Sequence, residues 1–145
     1  GMMAVCDVAV GASGAKFGLT ETRLGLIPAT IGPYVVARMG AARARRVFMS
    51  ARLIPVSEAV DLGLLARVVE AADLDAAIEA EVVPYLSVAP GAVAEAKALI
   101  RRLSPPLDEG AMAHTIAALV ARWESPEAAE GIAAFLEKRK PGWAV

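Results

Sequence analysis

The stretch Ala15–Gly40, AKFGLTETRLGLIPATIGPYVVARMG, decides how the rest of the chain is read. A short extended run at Lys16 and Phe17 leads to Glu21, and a Gly-Leu-Ile-Pro turn follows at Gly25–Pro28. Pro28 and Pro33 each bias the residue before them away from helical geometry, so the chain stays bent and extended until Pro33, which suits the first turn of a helix ending at Gly40. With Leu19, Leu24, Leu26 and Ile27 around it, Glu21 is expected to lose water. Desolvation disfavours the charged form of a carboxyl and moves its pKa toward the range where it trades protons. The same residue also reads as a solvated turn carboxylate with Arg23 as its surface partner. The helix start near Gly32 has free backbone N–H groups and reads either as an anion or carbonyl site or as a plain structural start.

Upstream, AVCDVAV and AKFG read as two short strands around the Gly/Ser turn GASG at Gly11–Gly14. That turn lacks the Lys-Ser/Thr ending of a nucleotide loop and the three-glycine dinucleotide pattern, so phosphate cradling is not its expected role. Downstream, a helix is expected over Ala42–Met49. Its Arg43, Arg45 and Arg46 spread around the helix and read as a solvated or ion-paired surface rather than a phosphate site. A short helix over Ser57–Leu62, stopped by Gly63, precedes an extended run over Leu64–Val69.

From Asp73 onward the pattern is helical. Asp73 is placed to cap a helix with apolar positions Leu74, Ile78, Val82 and Tyr85. Pro90 opens another with Val93, Ala96, Ile100 and Leu103, and a third carries Met112, Ile116, Leu119 and Trp123. These stripes are expected to be core or subunit contacts. His114 has no second His, Cys or carboxylate at metal spacing and reads as a structural or surface histidine, so no metal site is expected. Ser125 and Pro126 start the last helix, which runs through Phe135.

Of the 145 residues, 57% are hydrophobic, more than one domain of this size ordinarily buries, which points to an oligomer. Fifteen basic against 16 acidic residues leave a net charge of −1, so long-range attraction to nucleic acid or an anionic membrane is not expected. The single Cys6 fits a reducing, cytoplasmic compartment, and its neighbours Val5 and Val8 suggest a buried, inert thiol. There is no apolar run of membrane-spanning length and no signal-peptide pattern at the start.

The order of motifs is distinctive: AKFG-x-x-E-x-x-LG-x-x-P, the helix to Met39-Gly40, SARLI-x-x-x-EA-x-x-LGL-x-x-RVV, and the ending FLEKRKPGW. It resembles the enoyl-CoA hydratase/isomerase (crotonase) superfamily along nearly the whole chain. The resemblance implies an α/β fold. Residues 1–70 would form the end of a strand-strand-helix spiral and residues 71–145 a helical segment that assembles trimers or dimers of trimers. What stands here looks like the carboxyl-terminal half.

By the same resemblance, Glu21 falls on the family's second catalytic glutamate, and Leu24 and Pro28 of that pattern are substrate-binding positions. The family's first glutamate, counted back from Glu21, reaches Gly1, where no carboxylate stands. Phe135 matches an aromatic residue near the adenine of coenzyme A, and Lys138 a lysine that meets its phosphates. Lys138 also reads as an exposed basic helix end. The implied substrate is an acyl-CoA thioester with no separate cofactor, and the implied reaction is hydration of the 2,3 double bond. Double-bond isomerisation and a non-catalytic oligomerising or CoA-binding chain are the alternatives. The wording LTETRLGLIPATIGPYV is nearer to hydratases of branched or glutaconyl-type acyl-CoAs, such as methylglutaconyl-CoA hydratase.

Overall fold

The computed structural model describes residues 1–144. The chain is α/β, with four short strands, eight α-helices and three 3-10 segments among the described residues. Helix α1 (Met2–Val5) precedes β1 (Val10–Ala12) and β2 (Lys16–Phe17), and a 3-10 turn spans Glu21–Leu24. Then come α2 (Gly32–Met39), α3 (Ala41–Phe48), β3 (Ile54–Pro55), α4 (Val56–Asp61) and β4 (Arg67–Val69). The remainder is helical: α5 (Leu74–Val82), α6 (Pro90–Leu103), α7 (Glu109–Trp123) and α8 (Pro126–Leu136), with 3-10 segments at Ala71–Asp73 and Val83–Ser87.

The strand pairing corrects the expected hairpin. Strand β1 pairs in parallel with β4, Val10 opposite Arg67 and Ala12 opposite Val69, while β2 pairs antiparallel with β3, Phe17 opposite Ile54. A parallel partner requires a long crossover, which no local turn signal records. Packing supplies the reason for the choice. Gly11 is buried, and a Cβ there would stand 2.6 Å from methyl groups of both Leu65 and Val56, so glycine lets β1 lie against these two core side chains without displacing them. Ser13 prolongs the ladder by donating its N–H to the Val69 carbonyl at 2.7 Å.

Two further expectations at the amino end are corrected. The AVCDVAV run begins in helix at Ala4 and Val5 and reaches a strand only at Val10, and Cys6 is exposed. Val5 also faces solvent, so the apolar neighbours give Cys6 no cover. What this segment sends inward is backbone: Arg38 donates to the carbonyls of Cys6 at 2.8 Å and Asp7 at 3.2 Å.

The core joins Leu19, Val35, Met39, Val47, Ile54, Val56, Ala59, Leu62, Leu64 and Leu65, with Leu62 only 1% exposed. These positions come from β3, α2, α3, α4 and the turns beside them. Ion pairs lie outside it. Glu58 accepts from both Arg46 and Arg52, and the Arg52 guanidinium holds its carboxyl below the ordinary range. That fits the expected ion-paired surface for Arg46.

The helical stripes do not form a core within this chain. Ile78, Val82 and Tyr85 of the first stripe, Ile100 and Leu103 of the second, and Met112, Ile116 and Trp123 of the third are exposed, Leu103 by 77%. Asp73 stands at the start of α5 without accepting a capping hydrogen bond from its side chain. Among the described residues no helix is long and apolar enough to cross a membrane.

Candidate functional site

Glu21 opens the 3-10 turn, and Gly25 closes it in the left-handed region at φ +70°. That conformation favours glycine. It lets the Gly25 N–H reach the Thr22 carbonyl at 3.3 Å and the Leu26 N–H reach the Glu21 carbonyl at 3.1 Å. Leu19 and Leu26 are buried on either side, Pro28 is buried, and Leu24 is half-buried. Glu21 itself is half-buried, and its Oε2 is shielded from solvent with no hydrogen-bond partner. This excludes the reading of Glu21 as a fully solvated turn residue paired with Arg23. An unpartnered buried carboxylate oxygen is costly, and native structures keep few of them without a use.

The start of α2 is less open to an anion than its sequence suggests. Gly32 donates to the Pro28 carbonyl at 2.8 Å, Pro33 has no N–H, and Val35 donates to Ile31 at 3.0 Å. Most of the donors expected to be free are therefore absent or already engaged.

The carboxyl-terminal helices hold the turn. Gly131 of α8 faces Leu24 so closely that a Cβ there would stand 2.5 Å from the Leu24 carbonyl carbon, and one on Gly25 would stand 2.6 Å from that of Glu127. From the end of α7, Arg122 donates to the Gly25 carbonyl through Nε at 3.0 Å and Nη2 at 2.6 Å, and Nη2 also meets Glu127 at 2.6 Å. Asp108 caps α7 and Ser125 caps α8, each accepting a backbone N–H from three residues on. The sequence marks Gly25 as a turn residue but not its contact with α8, and it marks neither Arg122 nor Gly131. Their partners lie about a hundred residues away in sequence, and no local pattern marks them.

Two clefts border the turn, and Thr22 lines both. One, about 460 Å³, runs between Thr22, Gly25, Ile27, Arg122, Glu127 and Trp143. The other, about 440 Å³, is mainly apolar and includes Pro28, Val36, Phe48, Met49 and, from α7, His114. Of the expected substrate-binding positions, Pro28 lines the apolar cleft, whereas Leu24 packs on α8 instead. Phe135 and Lys138 are exposed at the far end of α8 and line neither cleft. Glu21 and Leu24 share the 3-10 turn but line neither cleft, so of the expected site residues Pro28 alone lines one of them. His114 is exposed, within the expected structural or surface role, and among the described residues no cluster of side chains suits a metal ion.

Past Lys138, at φ +55°, the chain is tied back. Arg139 grips both oxygens of Glu130 at 2.6 and 2.8 Å, and the Gly142 N–H adds a third bond at 3.0 Å. The guanidinium, foremost, holds the Glu130 carboxyl down at about 2. A depressed carboxyl contributes stability above its unfolded value and loses it as pH falls through the folded one. The wild-type chain is accordingly expected to lose stability between pH of about 4.3 and about 2. Urea midpoints measured across that window should fall less steeply in Glu130→Gln, and an identical slope would refute the assignment.

The profile of the enoyl-CoA hydratase/isomerase family matches residues 1–145. The chain is 33% identical over 140 residues to "Probable enoyl-CoA hydratase echA8" of Mycobacterium tuberculosis, covering 94% of this chain and 54% of that protein. It is also 33% identical over 153 residues to the mitochondrial methylglutaconyl-CoA hydratase of Rattus norvegicus, covering 94% of this chain and 45% of that one. Equal identities do not single out the branched or glutaconyl-type subgroup. Among solved structures, carnitinyl-CoA hydratase from Mycobacterium avium superposes with a TM-score of 0.85 at 26% identity, covering 98% of this chain and 56% of that one. The chain thus spans about half the length of the relatives it matches. The crotonase-type α/β fold expected from the motifs is the fold of these neighbours. On the match along its whole length, the chain belongs to the enoyl-CoA hydratase/isomerase family.

Proposed function

We propose that the protein carrying this chain adds water across the 2,3 double bond of an acyl-CoA, with Glu21 as the acid/base. The observation that carries the reading is the shielded, unpartnered Oε2 of Glu21 on a turn gripped by α7 and α8. In the reaction, one O–H bond of water breaks with its proton passing to a carboxylate, and the oxygen bonds to C3 as the C2=C3 electrons move toward the thioester carbonyl. A proton is delivered to C2 as the enolate collapses. Glu21 is suited to hold or return that proton. The enolate oxygen needs N–H donors, each worth about 2.7–4 kcal/mol. We assign those donors, and the second carboxylate that holds the water, to the remaining half of such a protein.

In this reading the acyl portion lies along the apolar cleft beside Pro28. Phe135 and Lys138 meet the nucleotide end of coenzyme A from another copy of the chain, because both face solvent away from the clefts. The exposed apolar residues of α5, α6 and α7 support a homo-oligomer; we propose a trimer or hexamer in the cytoplasm. No cofactor beyond the thioester takes part.

The test is incubation of the purified protein with a short 2-enoyl-CoA in deuterated water. The expected product is the 3-hydroxyacyl-CoA with deuterium at C2. Migration of the double bond without hydration would establish the isomerase reading in its place. Binding of coenzyme A with neither reaction would leave a non-catalytic, oligomerising chain.

A further inference from the structure

We infer that Arg122 is a positioning residue for Glu21, acting through the Gly25 carbonyl; the inference rests on the acid/base reading of Glu21. The geometry is specific. Two nitrogens of one guanidinium converge on a single carbonyl oxygen, at 3.0 and 2.6 Å, across 97 residues of sequence. That carbonyl belongs to the residue that closes the Glu21 turn, whose own N–H bonds back to Thr22. The next N–H, from Leu26, bonds to Glu21 itself. Pulling on the Gly25 carbonyl therefore pulls on the peptide between the two hydrogen bonds that set the backbone of Glu21.

The remaining contacts of Arg122 explain less. Its ion pair with Glu127 has a partner side chain that is 66% exposed, and exposed pairs contribute little. A surface pair also has no need of a carbonyl from another element. The half-buried guanidinium is better understood as the strut between α7 and the turn, with Glu127 fixing its plane. Arginine suits this role because its rigid fork presents two donors at once, which a lysine ammonium cannot reproduce in the same plane.

The test separates positioning from stability and from substrate contact. In the 145-residue chain, Arg122→Leu is expected to speed amide exchange at Gly25 and Leu26 by about ten- to a hundredfold, the range set by losing a charged hydrogen bond. It is also expected to shift the carboxyl-carbon resonance of Glu21. Arg122→Lys, the milder change, is expected to recover part of both effects and keeps the test open if the leucine variant does not fold. In the active protein the same variants should lower kcat and leave KM unchanged. Exchange at wild-type rates, or an unmoved Glu21 resonance, would overturn the inference. So would a raised KM with kcat intact, which would make Arg122 a substrate contact. If Glu21→Gln keeps full turnover, the acid/base reading fails, and the exchange data still decide whether Arg122 holds the turn.

Discussion

Glu21→Gln is expected to lower the rate of hydration by about a hundred- to ten-thousandfold, the range that a positioned acid/base group supplies. The substitution keeps the volume and shape of the side chain and removes only its capacity to take and return a proton. KM should therefore stay close to the wild-type value. Folding stability should behave in the opposite sense to activity. The Oε2 of Glu21 is shielded from water with no partner, so the amide of glutamine breaks no hydrogen bond at that atom. The urea midpoint of Glu21→Gln is expected to match or exceed that of the wild type, as happens when a residue is kept for function at the expense of stability. A variant that loses activity and stability together would mean that the carboxylate is a structural member of the turn. Full activity in the variant would remove Glu21 from the chemistry altogether.

The contrast between what the sequence discloses and what it hides follows from the range of the interactions involved. The bend from Gly25 to Pro33 was legible because proline and glycine act on their own backbone and their immediate neighbours. The positive φ of Gly25, the start of α2 at Gly32 and the stop at Gly40 all follow from that local chemistry. The same holds for Ser125 as the cap of α8. The pairing of β1 with β4 was not legible, since Val10 and Arg67 are brought together by packing around Gly11, Leu65 and Val56. Cys6 was misplaced for a related reason: apolar neighbours in sequence do not bury a residue at which the chain turns outward. In the candidate site, the motif reached Glu21, Leu24 and Pro28, whereas Arg122 and Gly131 depend on how α7 and α8 fold back. Periodicity identified the stripes of α5, α6 and α7, but a stripe states only that a face is apolar. It does not say which surface covers that face.

The second large effect is expected at the seam between α8 and the Glu21 turn. A Cβ added to Gly131 would lie 2.5 Å from the carbonyl carbon of Leu24 and 2.6 Å from its oxygen. Both are backbone atoms, so no rotamer change relieves the collision, and either α8 or the turn must move. Alanine in a helix interior ordinarily gains about 1 kcal/mol over glycine, while forced overpacking costs about 1–3 kcal/mol and occasionally more. For Gly131→Ala these terms compete, and the backbone contact makes the collision the larger. For Gly131→Val the added methyl groups enlarge the clash and the helix gain shrinks, so a loss near or above about 3 kcal/mol is expected. Gly91, in the first turn of α6, is the control, because a Cβ there meets nothing within 4 Å. Gly91→Ala should leave stability unchanged or raise it by up to about 1 kcal/mol. Urea unfolding of the three variants reads the difference directly. If Gly131→Ala stabilises as Gly91→Ala does, the helix does not rest on the turn as closely as the two facing glycines require. If Gly131→Val unfolds early and the milder Gly131→Ala also loses turnover, the same contact that holds α8 in place governs where Glu21 stands.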